Sequence, residues 1–568
     1  MSILRANPSL RDSKSYFNDF GPRVRQISQS TVPPPDITLP TPQSTPAPTT
    51  QNVKSEVTTT PPVIASILNP VYRRTALVKM QGPFNDRQLE SIARGMVYLE
   101  KLGLVSVMVV EHDDWVPGAT GEKVAVVEET MRIVSALEKQ GARARPVLQS
   151  VVRLGPHPDD LESQSQSGIR IPEAHTTPHD LVSIRSALKA GEIPVLPPLA
   201  LDSFCRSVRI HSNDVIGALA RGMAEAGNTN TRANAVQPTD AEEVDLTPLR
   251  LMIINREGGV PSYARSGLPH LLVNLTAESD FIHDSFHDSW RSTNPTALEN
   301  LELARTCLEY MPSTSSAIMV SHRSPKSLIA NLITNRPELS SSLPHALLQG
   351  NGARRLTQHT PTILRRGLPV RVINSSRDLD YQKLTNLLEQ SFKRKLDAKN
   401  YYKRLEKCLD FAIVAGDYAG AAIVTREHAP GETGDAASIA YLDKFAVLPS
   451  HQGAGTVDFL WVALHDESYG LGLSYSANPN GGKEGRGEGR DLVWRSRADN
   501  PVNKWYFERS TGHVRMGKWV MFWCDAEKRL KIEEGRRGSA GLSFCEEWEN
   551  GRLTRWSEAV QSIPSCWI

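Results

Sequence analysis

The stretch from Tyr441 to Leu464 places a glycine-containing turn between a strand pattern and a helix pattern. Residues Tyr441 to Leu448 alternate and are β-prone, and Pro449 ends the predicted strand. A helical repeat follows at Val457, Leu460, Trp461 and Leu464. The start of a helix offers unpaired N–H groups, and glycine lets a ligand approach the main chain closely. We therefore predict a pyrophosphate-binding turn formed by Gln452, Gly453, Ala454, Gly455 and Thr456.

The motifs around this turn narrow the class of ligand. No GxGxxG opens the unit, and the chain has no GxxxxGK[ST], so neither a dinucleotide site nor a P-loop is supported. The turn resembles the acetyl-CoA loop of the GNAT superfamily of N-acetyltransferases, whose pattern is Gln or Arg, two residues, Gly, one residue, and Gly or Ala. Gln452 and Gly455 match this pattern, whereas Val457 stands where the last small residue is usual.

Two basic residues interrupt apolar strand patterns. Lys444 lies in the segment YLDKF and Arg495 lies in LVWRSR. An unpaired charge inside such a strand is costly, so each of these side chains needs a ligand or a partner.

The composition excludes several classes of protein. The chain has 568 residues, which is too long for a single core, so two domains and tails are expected. Its formal net charge is only +2, and no basic stripe with interleaved aromatic residues is present, which argues against nucleic-acid binding. Six scattered cysteines predict reduced thiols. No apolar run is long enough to span a bilayer.

Changes in composition along the chain predict its organisation. Residues 1–26 form a basic leader, either a mitochondrial presequence or an ordinary helix, and residues 27–64 form a disordered linker rich in Ser, Thr and Pro. The remaining segments are an α/β sheet domain at 65–345, an interdomain linker at 346–365, a second α/β domain at 366–545 and a tail at 546–568. The charged C-terminal segment predicts a helix that docks on another surface.

The first domain alternates helices and strands, which predicts a doubly wound and largely parallel sheet. This order resembles the amino-acid kinase fold. A kinase of that family has a lysine and paired glycines after its first strand, whereas Lys79 is followed by Met80, Gln81, Gly82 and Pro83. We therefore expect a structural or vestigial Lys79 and no phosphoryl transfer.

The second domain has two helices, a hairpin, the strand and turn described above, and a helix, which is the element order of the GNAT fold. A glycine-rich insertion at 476–490 precedes the strand that contains Arg495. The pattern then predicts a helix with Asn500 as its N-cap and Pro501 at its first position.

Three blocks make a closer resemblance. Ser391 to Leu396, Tyr441 to Phe445 and Leu492 to Phe507 are similar to the matching blocks of the N-acetylglutamate synthase family, in the branch shared by fungi and animals. That family joins an amino-acid-kinase-like regulatory domain to a GNAT domain. The resemblance implies acetyl transfer from acetyl-CoA to the α-amine of L-glutamate, which is the first step of arginine biosynthesis.

The resemblance also implies roles for residues. The substrate carboxylates are expected to bind Lys444 and Arg495, assisted by Arg497 and by Arg394 or Lys395. The family usually has glycine where Lys393 stands. The main chain of Phe445, Ala446 and Val447 is expected to bind the thioester oxygen and the CoA arm, and Gln452 to Thr456 the pyrophosphate. Tyr506 is expected to be the general acid, with a purely structural aromatic role as the alternative. Asn500 is expected to position substrate or the leaving sulfur. No metal is expected.

The family implies further partners and a location. It implies feedback inhibition by L-arginine, assembly into homo-oligomers and a complex with acetylglutamate kinase. It also implies a location in the mitochondrial matrix. Two alternative functions remain open. One is a catalytically poor subunit that senses arginine or acetylglutamate for a partner kinase. The other is protein lysine acetylation, which the carboxylate-matched cations disfavour.

Overall fold

The computed structural model describes residues 74–155, 173–233, 245–324, 331, 335–343, 356–432, 438–453, 455–465, 471, 490–525 and 547–568. The predicted leader and linker at 1–64 and nearly all of the glycine-rich insertion lie outside these residues. Arg74–Ile568 form one compact unit. No helix within the described ranges is long and apolar enough to cross a membrane.

The first domain alternates strands and helices. In chain order they are β1 (Arg74–Gly82), α1 (Asp86–Lys101), β2 (Leu104–His112), α2 (Glu122–Lys139), β3 (Ala144–Pro146), β4 (Val152–Leu154), β5 (Ala174–His175), α3 (Val182–Lys189), β6 (Ile193–Leu196), β7 (Leu199–Leu201), β8 (Ser207–Arg209), α4 (Ser212–Ala233), β9 (Pro248–Asn255), β10 (Leu272–Asn274), α5 (Leu275–Ser285), α6 (Asp288–Thr293), α7 (Ala297–Tyr310), β11 (Ser316–Ser321) and β12 (Thr362–Arg365).

An eight-stranded sheet in the order β10-β12-β11-β9-β1-β2-β6-β3 forms the centre of this domain. Its strand pairs are parallel except β11 with β12, so the predicted parallel α/β sheet is confirmed. The apolar runs of β1 and β2 are buried almost throughout, as expected for strands covered on both faces. A second sheet, β5-β4-β7-β8, was not predicted because its strands have only two or three residues.

Lys79 lies in the middle of β1 and is fully buried. Its Nζ donates to Oδ1 of Asn213 and to Oδ1 of Asn300, both at 2.7 Å. Burial lowers the pKa of Lys79 to about 8, against the opposing effect of Glu111. Two neutral amides thus accept two of the three ammonium N–H donors, which supports a structural role for Lys79.

The boundary between the domains differs from the prediction. Strand β12 lies in the segment 346–365 that was predicted to be a linker, but it pairs with both β10 and β11 of the first sheet. The first sheet therefore continues to Arg365, beyond the predicted domain end at 345. A strand of four residues has too little periodicity to be recognised, and its partners lie far away in sequence. Residues 346–355 lie outside the described ranges.

The second domain has the predicted GNAT element order. Its elements are β13 (Val370–Ile373), α8 (Tyr381–Phe392), α9 (Ala398–Cys408), β14 (Leu409–Ala415), β15 (Gly420–Glu427), β16 (Ile439–Val447), α10 (Thr456–His465), β17 (Leu492–Arg497), α11 (Asn503–Phe507), β18 (Gly512–Met516), β19 (Trp519–Cys524) and α12 (Glu547–Ser562). The seven strands form one sheet in the order β13-β14-β15-β16-β17-β19-β18. Only β16 and β17 pair in parallel.

Helices cover both faces of this sheet. On one face, α10 packs through Leu460 and Leu464 into a cluster that also contains Trp494 and Phe522. On the other face, α8 and α9 pack on β14 and β15. Because side chains alternate along a strand, neighbouring residues of β16 and β17 belong to different faces.

The C-terminal helix belongs to the second domain. Trp556, Val560 and Ile563 pack against Tyr441 and Val493 of the sheet. The domain thus extends past the predicted boundary at 545 and includes much of the predicted tail at 546–568. The expectation of a docking helix is confirmed, and its docking surface is the GNAT sheet itself.

Candidate active site

Strands β16 and β17 separate after a short parallel contact. They pair only at Ala440 with Leu492 and at Tyr441 with Val493. Beyond this point β16 pairs with β15 up to Val447, and β17 pairs with β19. The facing edges from Leu442 onward therefore have no ladder between them, which opens a gap in the sheet where main-chain groups can bind a ligand. The predicted main-chain site at Phe445, Ala446 and Val447 lines this gap.

The predicted strand, turn and helix are confirmed at the end of the gap. Gly453 and Gly455 have φ values of 99° and 89°, a left-handed conformation that favours glycine. Gln452 donates from Nε2 to the carbonyl of Val447 at 3.2 Å, which ties the turn to its strand. Thr456 is the buried first residue of α10. Ala454 lies outside the described residues, and pyrophosphate binding by this turn stays a prediction.

The first domain contributes to the surroundings of this turn. A Cβ atom built on Gly453 would lie 3.4 Å from Nη2 of Arg336, and one built on Gly455 would lie 3.1 Å from a methyl group of Leu272. The guanidinium group of Arg336 thus lies beside the predicted phosphate site. Arg336 was missed because nothing in its local sequence connects it to a turn so far along the chain.

A second set of contacts joins the two domains near the start of α10. Oδ1 of Asp458 accepts from the hydroxyls of Ser340 and Ser342, at 2.8 and 2.5 Å. The guanidinium group of Arg509, just after α11, donates to the same two hydroxyls and stacks over Trp505. Ser340 and Ser342 are therefore bonded both to α10 and to the residue that follows α11 by two positions.

Tyr506 lies in an aromatic cluster on the α10 face. Its ring centroid is 5.4 Å from that of Trp494 and 5.5 Å from that of Phe522, while Trp461 and Trp505 connect the cluster to Phe445 at the gap. Burial raises the pKa of Tyr506 to about 12. No residue within the described part of the chain hydrogen-bonds with its hydroxyl. Tyr506 thus carries its proton at neutral pH, and its ring packs against the core. Its role as general acid stays a prediction.

The prediction that Asn500 is the N-cap of the helix is wrong. Helix α11 begins at Asn503, and Val502 is its N-cap, because Pro501 and Val502 form a preceding turn. Asn500 accepts at Oδ1 from the main-chain N–H of Val502 at 3.1 Å, and its Nδ2 donates to Oγ of Ser496 at 2.8 Å. It therefore organises the connection between β17 and α11, and its contact with substrate stays a prediction.

Lys444 has a buried carboxylate partner that the sequence analysis missed. The side chain is only 9% exposed, and its Nζ donates to Oδ2 of Asp443 at 2.8 Å. Asp443 also accepts from the hydroxyl of Tyr401 at 3.1 Å and from Arg404 at 3.0 Å. An acidic residue inside the same apolar strand was the available signal. These contacts fix the position of the Lys444 ammonium group, which lies 5.1 Å from the ring centroid of Tyr401.

The half-buried side chain of Arg495 also has partners within the chain. Its Nη1 donates to the carbonyl of Val560 at 2.5 Å, and its Nη2 to the carbonyl of Ile563 at 2.9 Å. Carbonyl groups at the end of a helix lack intrahelical partners, and arginine often satisfies them. The guanidinium group also stacks over Trp519 at 4.8 Å. By the alternation of side chains along β17, Arg495 lies on the same sheet face as Val493, which α12 covers.

The other predicted carboxylate ligands are more exposed. Arg497 forms a two-point ion pair with Asp499, at 3.0 and 2.8 Å, on the surface. Arg394 and Lys395 lie exposed in the loop between α8 and α9. Lys393 is the C-cap of α8 with φ of 54°, in the left-handed region. The glycine usual in the family at this position is therefore explained by helix termination and needs no substrate contact.

Replacing Lys393 by glycine should stabilise the domain. A residue with a Cβ atom costs about 1 kcal/mol in the left-handed conformation, and glycine removes this cost. We expect Lys393→Gly to raise the midpoint of thermal unfolding, measured by calorimetry. Lys393→Ala, which removes the charge but retains the strain, is the control. An equal rise in both variants would assign the effect to charge instead.

Comparisons with known proteins agree with this geometry. A family model described as the N-acetyltransferase of N-acetylglutamate synthase matches residues 371–472 and 486–536. The mitochondrial amino-acid acetyltransferase of Laccaria bicolor is 64% identical, covering 100% of this chain and 99% of the relative. The chain belongs to the mitochondrial amino-acid acetyltransferase family. The relative of the same name from Coprinopsis cinerea is 62% identical and covers 100% of this chain and 91% of its own.

Membership in the mitochondrial amino-acid acetyltransferase family confirms several predictions. The chain is an amino-acid N-acetyltransferase of the GNAT class that uses acetyl-CoA as its acetyl donor. A solved structure of N-acetylglutamate synthase from Neisseria gonorrhoeae, complexed with coenzyme A and N-acetyl-glutamate, is also similar. It is 13% identical, has a TM-score of 0.42, and covers 81% of this chain and 97% of that one. The assignment rests on the two relatives of higher identity.

Proposed function

We propose that the chain transfers the acetyl group of acetyl-CoA to the α-amine of L-glutamate, giving N-acetyl-L-glutamate and CoA. The main support is the placement of two cations and an acid around one gap. Lys444 and Arg495 extend from the separating strands on the face of α9 and α12, while Tyr506 lies on the face of α10. Glutamate carries two carboxylates, and a guanidinium group can bind one of them through two hydrogen bonds.

The residues of the gap suit acetyl-CoA. The turn at Gly453 and Gly455 leads into the N-terminus of α10, where main-chain N–H groups favour a phosphate. Arg336 adds a positive charge beside Gly453. When bound, acetyl-CoA supplies the activated acetyl group as a thioester. Its thioester oxygen would be stabilised by N–H groups of Phe445 to Val447.

Each remaining step has a candidate among the residues of this chain. Lys444 and Arg495 hold the carboxylates so that the neutral amine faces the thioester carbon. The amine attacks the thioester carbon to form a tetrahedral intermediate, and the nitrogen releases a proton to solvent. The C–S bond breaks as this intermediate collapses to the amide. Tyr506 donates its hydroxyl proton to the leaving thiolate, which is general-acid catalysis, and it takes a proton back from solvent. Asn500 holds the connection that carries Tyr506. Arg497 and either Arg394 or Lys395 would assist Lys444 and Arg495 in binding the carboxylates.

The regulatory part of the proposal concerns the first domain. By resemblance to the family, L-arginine binds that domain and inhibits acetyl transfer, the chain forms homo-oligomers and associates with acetylglutamate kinase, and it works in the mitochondrial matrix. Hydrogen bonds link Ser340 and Ser342 of the first domain to Asp458 and Arg509 of the second. Through these bonds, a ligand of the first domain could change the positions of the elements beside the gap.

The test is CoA release by the purified chain with acetyl-CoA and L-glutamate, with and without L-arginine, beside Arg495→Ala. Loss of a charged hydrogen bond to the substrate should raise the KM for glutamate at least about tenfold and leave the KM for acetyl-CoA unchanged. Arg515→Ala, which removes an exposed arginine from the edge strand β18, is the matched control. Arginine binding without glutamate turnover would favour the alternative sensor subunit, and turnover of peptides in place of glutamate would favour lysine acetylation.

A further inference from the structure

The last residues of the chain pair with the loop that follows α8. The N–H of Asp397 donates to the carbonyl of Cys566 at 2.9 Å, and the N–H of Ile568 donates to the carbonyl of Lys395 at 3.1 Å. Leu396 and Trp567 form an antiparallel bridge between these bonds. The C-terminal segment, defined here as Ile563–Ile568, is therefore attached by its main chain to the loop that contains Arg394 and Lys395.

The same segment covers Lys444. The centroid of the Trp567 ring lies 6.0 Å from Nζ of Lys444 and 5.1 Å from the ring centroid of Phe392. Two of the Lys444 hydrogen bonds go to Asp443, one to its carboxylate and one to its carbonyl. An ammonium group near aromatic faces is stabilised by cation–π attraction. Trp567 and Tyr401 thus form an aromatic wall around this cation.

The start of the segment holds Arg495. The carbonyl of Ile563, together with that of Val560 in the last turn of α12, accepts both Nη donors. Guanidinium has five N–H groups, so these two bonds leave donors for a carboxylate. The bonds therefore orient Arg495 without consuming its capacity to bind a substrate.

Trp567 lies half-buried at the edge of the apolar cluster of α8 and α9, with its ring near the Lys444 ammonium group. Ile563 of the same segment is buried among apolar residues. The segment contacts all three sequence blocks that carry predicted substrate ligands, through Lys395, Lys444 and Arg495. This convergence on the predicted substrate ligands points to a role in the site in addition to apolar packing.

We propose that the C-terminal segment forms a wall of the amino-acid pocket and positions Lys444 and Arg495 for the two carboxylates of a dicarboxylic amino acid. This inference rests on the proposed function and assigns the segment to its acceptor site. Trp567 and the carbonyls of Val560 and Ile563 act as positioning groups. They bind the cations, and the cations bind the substrate.

The test measures the KM values for glutamate and acetyl-CoA in wild type and in three variants. Two are the substitutions Trp567→Ala and Trp567→Phe in the full-length chain, and the third is a chain that ends at Ser562. We expect Trp567→Ala to raise the KM for glutamate about fivefold or more and the shortened chain to raise it further. The KM for acetyl-CoA should stay within about twofold. Trp567→Phe should restore most of the glutamate affinity because an aromatic face returns. Gln561→Ala, an exposed change in the last turn of α12, is the control and should match wild type.

Several outcomes would overturn the inference. These are an unchanged KM for glutamate in all variants, an equal rise in both KM values, or a gain in rate on removing the segment, which would make it an inhibitory cover. If the shortened chain does not fold, the KM for glutamate of Trp567→Ala is compared with that of Trp567→Phe. Equal values in these two variants would then overturn the inference. Failure of the proposed function would give a different result, because wild type would then release no CoA with glutamate. If only the inference fails, wild type is active and Arg495→Ala still loses glutamate affinity.

Discussion

Replacing Tyr506 by phenylalanine is expected to lower kcat about 100-fold or more, with both KM values within about threefold of wild type. The ring is held by Trp494, Trp505 and Phe522, so it should stay in place when the hydroxyl is removed. Burial raises the pKa of Tyr506 to about 12, and the group therefore carries its proton at neutral pH. Ionisation of Tyr506 should accordingly cause no fall in kcat between about pH 7 and about pH 10. Rates of CoA release across this range test both statements.

Tyr418→Phe is a matched control for the loss of a hydroxyl. Tyr418 lies in the turn between β14 and β15, and its hydroxyl accepts from the N–H of Asp380 at 2.7 Å. Its kcat should remain within about twofold of wild type, because only a structural hydrogen bond is lost. A rate for Tyr506→Phe that equals this control would show that water or another group protonates the thiolate, and Tyr506 would then be only a core aromatic residue.

Replacing Asp443 by asparagine is expected to destabilise the second domain by about 3 kcal/mol or more, since it removes a carboxylate shared by buried cations. Asp443 is paired with Lys444 and Arg404, and it accepts from Tyr401. Lys444 would keep its buried position but lose its carboxylate partner. The KM for glutamate should also rise, because the ammonium group is no longer oriented. Urea denaturation followed by tryptophan fluorescence measures the stability, since most tryptophans lie in the second domain.

The pH dependence of this effect has a definite sign. Burial acts to raise the pKa of Asp443, but Lys444 and Arg404 outweigh it and lower the pKa from 3.8 to about 2. The ionised group therefore stabilises the fold fully above about pH 4, and this contribution is lost as the pH falls through about 2. The difference between wild type and Asp443→Asn should shrink over the same range.

Asp499→Asn makes the same chemical change at the exposed pair with Arg497. It should cost no more than about 1 kcal/mol, because solvent screens such pairs. Equal losses in Asp443→Asn and Asp499→Asn at neutral pH would contradict the structural role assigned to the buried carboxylate.

Local patterns in the sequence were sufficient to predict most of the strands, turns and helices that form the site. The strand before Pro449, the glycine turn and helix α10 were predicted together because each depends on residues within a few positions. The alternation of helices and strands in both domains followed from the same periodicities, except for the small second sheet and β12 of the first domain. The three blocks around Lys395, Lys444 and Arg495 indicated an acetyltransferase family, and the relatives confirm it. The helix near the C-terminus was predicted, but its docking surface was not.

Only the tertiary structure decided what the functional groups contact. The sequence required a partner or a ligand for Arg495, and the fold supplied the carbonyls of Val560 and Ile563. It likewise placed Trp567 over Lys444 and joined β12 to the first sheet. Each of these contacts joins residues that are far apart in the chain. Helical and strand periodicities depend only on residues that are close in sequence, so they cannot predict such pairs. These pairs form only when whole elements pack against one another.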